Sequence, residues 1–378
     1  VTESGIKLSI DMLQKGNTTA SMSFGQEGDG VATDVDEFNP SFSRAWPDLK
    51  AQLCPKMDPS IDEYGEKLFQ LAYQEIKPKK NYESRPLVLD RFFSFGDAPT
   101  TLVPPGSSEN NFTDAVVYLS TWKCANNQIR GFFNGYFAQQ NRSLAVSHPQ
   151  YPNISSEVLD GACIVMAIRD PITRFLSGYN ELECRLPPEE TLDKLARHQN
   201  LPQGTKQRFE QFLLDLLEGV ASGAGAPLNK TGVRESDGHW SQLNHVYNMV
   251  GQLVMLRARS SKERLPDAIM PTLRDLNRDF PSFVVSSCPN AAPVIQGIDG
   301  EAMPIAGQHG SSSDPKGAYG AAKEVWADQG ASARALCYLH AFDYSCFDML
   351  PDGVPELCQE IYASEEFRSA ILGSNAET

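Results

Sequence analysis

The chain has 378 residues, 41% of them hydrophobic, and its 48 acidic side chains against 33 Lys and Arg give a formal net charge of -15. That composition is too apolar for a disordered chain and too aperiodic for a fibrous one. The acidic balance argues against a nucleic-acid partner, because such binders gain affinity from clustered Lys and Arg, so any anionic ligand must be held by a local positive site. Residues 1 to about 45 are rich in Gly, Ser, Thr and Asp without a sustained period, which reads as a stalk or peripheral wrap. Residues 61–76 carry a helical pattern in Tyr64, Leu68, Leu71 and Ala72, and a connection with Pro99, Pro104 and Pro105 then leads to Asn111. The division expected is an N-terminal stalk or peripheral extension over 1–112 and a main domain over 113–378.

Residues 115–119 form a short apolar run suited to a strand buried on both faces, and 128–138 read as the helix after it. Residues 162–168 repeat the strand pattern, with Pro171 in the first turn of the following helix, where a missing N–H costs nothing. Phe209, Phe212, Leu213, Leu216, Leu217 and Val220 recur at helical spacing and mark an amphipathic helix. The apolar run 250–256 is a third strand candidate, 306–322 a long Ser- and Gly-rich loop, and 331–339 a late helix. Strands alternating with helices predict a three-layer α/β fold with a mainly parallel central sheet and ligands at the carboxyl ends of the strands. The longest apolar runs fall short of the roughly 18–20 residues a membrane span needs, and nothing follows from the lack of a leader in a chain that begins at Val1.

Eight cysteines stand at 54, 124, 163, 184, 288, 337, 346 and 358, and none forms a CxxC, so a zinc site or redox pair has no support. Five glycosylation sequons, at Asn17, Asn111, Asn141, Asn153 and Asn229, favour a secretory route. In that compartment the even cysteine count reads as several disulfides, expected among Cys288, Cys337, Cys346 and Cys358.

Two stretches carry chemistry. Residues 116–127 run from a buried strand through Ser120-Thr121-Trp122-Lys123-Cys124-Ala125 into the helix that opens with Asn126 and Asn127. Such a junction offers backbone N–H groups and a positive helix end to an anion, and Lys123 adds a full charge. It is a phosphate cradle in outline but not a Walker A loop, since GxxxxGK[ST] is absent. In the second stretch, Arg169 ends a strand and Ser177 lies two turns along the next helix, positions from which a guanidinium can fork a terminal phosphate and a hydroxyl can donate to it.

Arg169-Asp170-Pro171-x-x-Arg174-x-x-Ser177 closely resembles the signature with which sulfotransferases grip the 3'-phosphate of PAPS (3'-phosphoadenosine 5'-phosphosulfate). The strand and loop around Lys123 resemble the same family's P-loop-like 5'-phosphosulfate loop. By this resemblance Lys123 would contact the bridging oxygen of the donor, Asn126 and Asn127 the 5'-phosphate, and Arg169 and Ser177 the 3'-phosphate, while Asp170 and Arg174 brace the helix start. His239 and Trp240 resemble a His-Trp-x-x-Gln segment that would line the acceptor, with Glu181 beside it. Ser311, in His309-Gly310-Ser311-Ser312, resembles the Ser of a loop closing over the nucleotide, and residues 338–347 resemble the family's C-terminal Tyr-x-x-Asp-Tyr/Phe-x-x-Phe element. The order of these segments resembles the Golgi carbohydrate branch. It implies a glycan acceptor and residence in the Golgi lumen, as a type II membrane protein whose anchor is absent from this chain, or secretion.

The chain departs from the family where Trp122 replaces the usual Pro and where Ala125 replaces a common Gly, a change that restricts the backbone wherever a positive φ is required. His148, between the two phosphate stretches, is the first candidate for the base that deprotonates the acceptor, since a neutral imidazole suits that task near pH 7. Glu181, Glu183 and His239 are the alternatives. No metal cluster is visible in the sequence. The rival readings are a secreted glycan-binding protein with the sulfotransferase fold but no transfer activity, and a P-loop-like nucleotide kinase.

Overall fold

The computed structural model describes residues 40–54, 60–77, 100–102, 112–121, 123–139, 145–147, 154–185, 197–218, 245–246, 248–272, 276–291 and 314–373. A five-stranded sheet has the order β3-β1-β2-β4-β5, built from β1 (Thr100–Leu102), β2 (Val116–Leu119), β3 (Ala145–Ser147), β4 (Cys163–Ala167) and β5 (Ala268–Met270). β2, β4 and β5 run parallel, with Leu119 opposite Met166 and Met166 opposite Ile269, while β1 pairs antiparallel with both β2 and β3. The expected strands at 115–119 and 162–168 are thus adjacent, and their carboxyl ends open on one edge.

The residues of β2 and β4 are apolar because both faces of the sheet are covered there. Val116, Tyr118, Val165 and Ala167 pack on one face with Ile129, Phe132 and Phe133 of α3 (Asn126–Gln139) and Phe280 and Val284 of α8 (Leu276–Ser287). Val117, Leu119, Ile164 and Met166 belong to the larger core on the other face. That core takes in α5 (Pro171–Arg185), α6 (Lys206–Leu217), α7 (Val250–Arg259), α9 (Ala318–Ala327), α10 (Ala331–Leu339) and α11 (Ala341–Cys346), with α12 (Glu356–Ala363) and α13 (Glu365–Leu372) toward the C-terminus. It also extends N-terminal to residue 113. α1 (Pro40–Leu53) begins inside the stretch read as peripheral and buries Phe42, Ala45, Leu49 and Leu53, and α2 (Ser60–Ile76) buries Leu68, Phe69 and Ala72. The short α4 (Ser156–Gly161), capped by the Ser155 hydroxyl, feeds β4.

Two expectations are corrected. Residues 250–256 are not a strand but most of α7, whose buried positions Val250, Leu253 and Leu256 follow a helical face. The segment is short and its one polar residue, Gln252, is itself buried, so seven residues do not tell the two periods apart. The third parallel strand is instead the three-residue β5, too short to be periodic. The loop read over 306–322 gives way to α9 from Ala318 onward, where Ala318, Ala321, Ala322 and Val325 recur on a buried face. Asp314 secures its start by accepting from the Gly320 N–H at 2.8 Å. The helices expected over 61–76, 128–138 and 331–339 are present, and α6 carries the predicted stripe as far as Leu217.

Disulfides are present, but not all within the C-terminal group. Cys337–Cys358 joins α10 to α12, whereas Cys288 reaches Cys163 and Cys346 reaches Cys54, with Cα separations of 5.1, 5.7 and 5.0 Å in that order. Those separations suit a disulfide, and the partners lie 21, 125 and 292 residues apart in the chain. Proximity in the fold, not in the sequence, chose them. Cys124 and Cys184 are free. Three disulfides are consistent with a lumenal or extracellular setting. No described helix is long and apolar enough to cross a membrane.

Candidate functional site

β2 ends at Leu119, and the chain turns through Ser120 to Ala125 before α3 opens at Asn126. The turn is tied by the Cys124 N–H donating to the Thr121 carbonyl at 3.1 Å. Lys123 and Ala125 have φ values of 64° and 56°, on either side of Cys124, which is not in that region. Alternation of this kind turns successive backbone N–H groups toward one side, the concavity used to hold anions. Ala125 has no side-chain oxygen with which to cap α3, and its carbonyl accepts from the Gln128 and Ile129 N–H groups at 3.0 Å, so the helix start presents its positive end without a side-chain cap from Ala125. Ala125, at the position where the resembled family commonly has Gly, adopts a positive φ at a cost of about 1–2 kcal/mol. Ala125→Gly is expected to raise stability by roughly 1 kcal/mol, less the added freedom of the unfolded chain. The urea midpoint measures this, and a lower midpoint in the variant would show that the turn is not strained.

The loop is held from behind. Cys124 is fully buried, its thiol 3.8 Å from the Met249 sulfur. Burial pushes that thiol up to about 11 against the opposing pull of Arg174 and Arg169. It is a neutral wedge rather than a nucleophile, and it brings the Lys123 loop against the end of β4. Arg169 itself is half-buried.

The next helix is braced as the sequence implied. Asp170 Oδ1 accepts from the Thr173 N–H at 2.7 Å, capping α5, and Asp170 Oδ2 accepts from the Tyr344 hydroxyl at 2.7 Å. Burial, then the Asp170 charge, raises the Tyr344 pKa far above its ordinary value, which keeps that donor protonated. Arg174 is buried and donates to the His245 carbonyl at 3.1 Å. A Cβ on Gly178 would lie 2.2 Å from that same oxygen, so only glycine lets α5 approach here. Asp343 Oδ1 accepts from the Val250 N–H at 2.9 Å, capping α7 from across the fold. The segment 338–347 thus acts as a brace.

Ser177 is buried on α5, and Glu181 follows one turn later on the same helix. Lys123 Nζ donates to Glu181 Oε2 at 3.1 Å, with side-chain exposures of 16% and 11%. Glu183, by contrast, is committed elsewhere: Arg208 Nε and Nη2 both lie 2.9 Å from its Oε2, in a pair 4% and 1% exposed. A carboxylate so held is not free to act as a base.

The structure brings Lys123 to Glu181, and places Asn126 at the start of α3, Arg169 just past the carboxyl end of β4 and Ser177 on α5. Asn127 opens α3 through its backbone. His148, His239, Trp240 and Ser311 lie outside the described residues, as do the asparagines of the five sequons. Sequence reasoning assigned no role to Ser120 and Thr121. Both are 0% exposed, and their hydroxyls have no hydrogen-bond partner among the described residues. A buried hydroxyl without a partner is costly, and these two lie in the turn that carries Lys123. Their signal was present in the polar pair that interrupts an apolar run just before Lys123. Comparison of the chain with protein-family models, curated proteins and solved structures finds no match in any of the three.

Proposed function

We propose that the chain is a PAPS-dependent sulfotransferase that moves a sulfuryl group to a hydroxyl of a glycan, working in the Golgi lumen or after secretion. One observation carries the reading: two strand-to-helix junctions on neighbouring parallel strands bring a strained Lys-bearing turn, two unpartnered buried hydroxyls and Arg169 to one edge of the sheet. In an otherwise acidic chain this is a local site for an anion with more than one phosphate, and the spacing around Arg169 and Ser177 is what the sulfotransferase resemblance requires.

In this reading the Ser120 and Thr121 hydroxyls, the N–H groups opening α3, and Asn126 and Asn127 hold the 5' end. Arg169 and Ser177 hold the 3'-phosphate, and Ser311 closes on the nucleotide. Lys123 neutralises charge on the departing phosphate oxygen. His239 and Trp240 line the acceptor. The donor, when bound, supplies the sulfuryl group: the acceptor oxygen gains the bond to sulfur, the bridging S–O bond breaks with its electron pair left on the phosphate, and the acceptor proton passes to a base. His148 is the first candidate for that base. Glu181 is the second, favoured by its carboxylate beside Lys123.

Calorimetry with 3',5'-ADP tests the donor site. Arg169→Ala is expected to bind it about 2–4 kcal/mol more weakly with the fold intact, because a charge-assisted fork is lost and no core side chain is removed. Unchanged affinity in the folded variant would sink the assignment. Binding without PAPS turnover on any glycan would favour the glycan-binding rival, and turnover of ATP in place of PAPS the kinase.

A further inference from the structure

An acidic side chain at the mouth of a phosphate site is an anomaly, because a carboxylate repels the ligand unless a cation neutralises it. Glu181 is such a group, and the cation it holds is Lys123, the residue the donor needs. Resting on the donor-site reading above, we infer that Glu181 is a latch: in the donor-free protein it occupies Lys123, the donor must displace it, and only then is the carboxylate released. Donor therefore binds before acceptor.

The geometry supports a pair strong enough to compete. The two groups are 3.1 Å apart and largely shielded from solvent, where a charge pair outweighs its surface counterpart. Glu181 sits on α5 four residues after Ser177, so one rigid helix carries both a proposed 3'-phosphate contact and the group that restrains the 5' end. Arrival of the 3'-phosphate at α5 and release of Lys123 would thus be read on the same element. Once Lys123 turns to the phosphate oxygen, Glu181 gives up the charge of Lys123 and its proton affinity rises. The carboxylate becomes a better proton acceptor at the moment the acceptor hydroxyl must lose its proton. Glu181 belongs to a mixed cluster: Cys184, on the next turn of α5, feels Glu181, Lys316, Asp314 and Lys123 together. Asp314 thus supplies a second negative charge close by that Lys123 does not pair.

The experiment compares 3',5'-ADP affinity by calorimetry for the natural protein, Glu181→Gln, Glu181→Ala and Asp314→Asn, with a thermal melt of each to establish folding. Removing the competing carboxylate is expected to tighten binding about three- to tenfold in both Glu181 variants, the scale of a shielded ion pair, while Asp314→Asn, able to keep its cap on α9, binds as the natural protein does. Equal tightening in Asp314→Asn would assign the effect to general repulsion and overturn the latch. Unchanged or weaker binding in the folded Glu181 variants would overturn it as well, leaving the donor site standing. A natural protein that does not bind 3',5'-ADP removes the donor site itself, and the latch with it.

Discussion

Glu183→Ala is expected to cost about 3–5 kcal/mol of stability, because it strands the Arg208 guanidinium as an uncompensated charge in the interior. The pair is nearly inaccessible, and Arg208 also donates to the Gln199 and Leu201 carbonyls at 3.2 and 2.5 Å, so it cannot swing out to water without breaking those bonds. The Glu183 carbonyl is engaged too, by Lys316 Nζ at 2.6 Å, which joins α5 to the residues leading into α9. Urea unfolding measures the loss. Adding Arg208→Met to the Glu183→Ala background should recover part of it, since an apolar pair avoids the desolvation that the single variant leaves exposed. A single variant within about 1 kcal/mol of the natural protein would mean that water reaches the pair. Glu183→Ala should affect turnover only through stability, which separates it from Glu181, two residues away.

Lys123→Ala is expected to lower turnover of PAPS by about 100- to 1000-fold, the usual cost of removing one preorganised donor at developing charge. Binding of 3',5'-ADP should fall much less, because the charge Lys123 meets develops mainly in the transition state and because the natural lysine must first leave Glu181. Single-turnover kinetics beside calorimetry separate the two. A variant that loses affinity and keeps kcat would make Lys123 a ground-state binder. The substitution also places Ala at a positive φ, as Ala125 already is, so Lys123→Gly is the control for backbone effects.

Several parts of this architecture were legible in the amino acids. β2 and β4 are flanked by helices on both faces, so their sequences are unbroken apolar runs. The same reasoning misread α7, where a short stretch interrupted only by Gly251 and the buried Gln252 is surrounded by the core and does not show its period. β5 has only three residues, too few for any period to emerge. Arg169, Asp170 and Lys123 stood out because the ends of buried strands are where polar residues return, and Ser177 through its spacing from Arg169.

Local order thus decides where the apolar runs stop, which residue caps α5, and that the Lys123 turn leads into a helix, since each depends on neighbours within a few positions. Whatever depends on distance through space was left to the tertiary structure. Cys54 meets Cys346 and Cys163 meets Cys288 only because helix packing brings them within bonding reach. Glu181 and Glu183 look alike in sequence, yet they are two residues apart on a helix and so point in different directions, one to Lys123 and one to Arg208. One carboxylate became part of the candidate site and the other a buried structural charge, a distinction set by what the fold places opposite each.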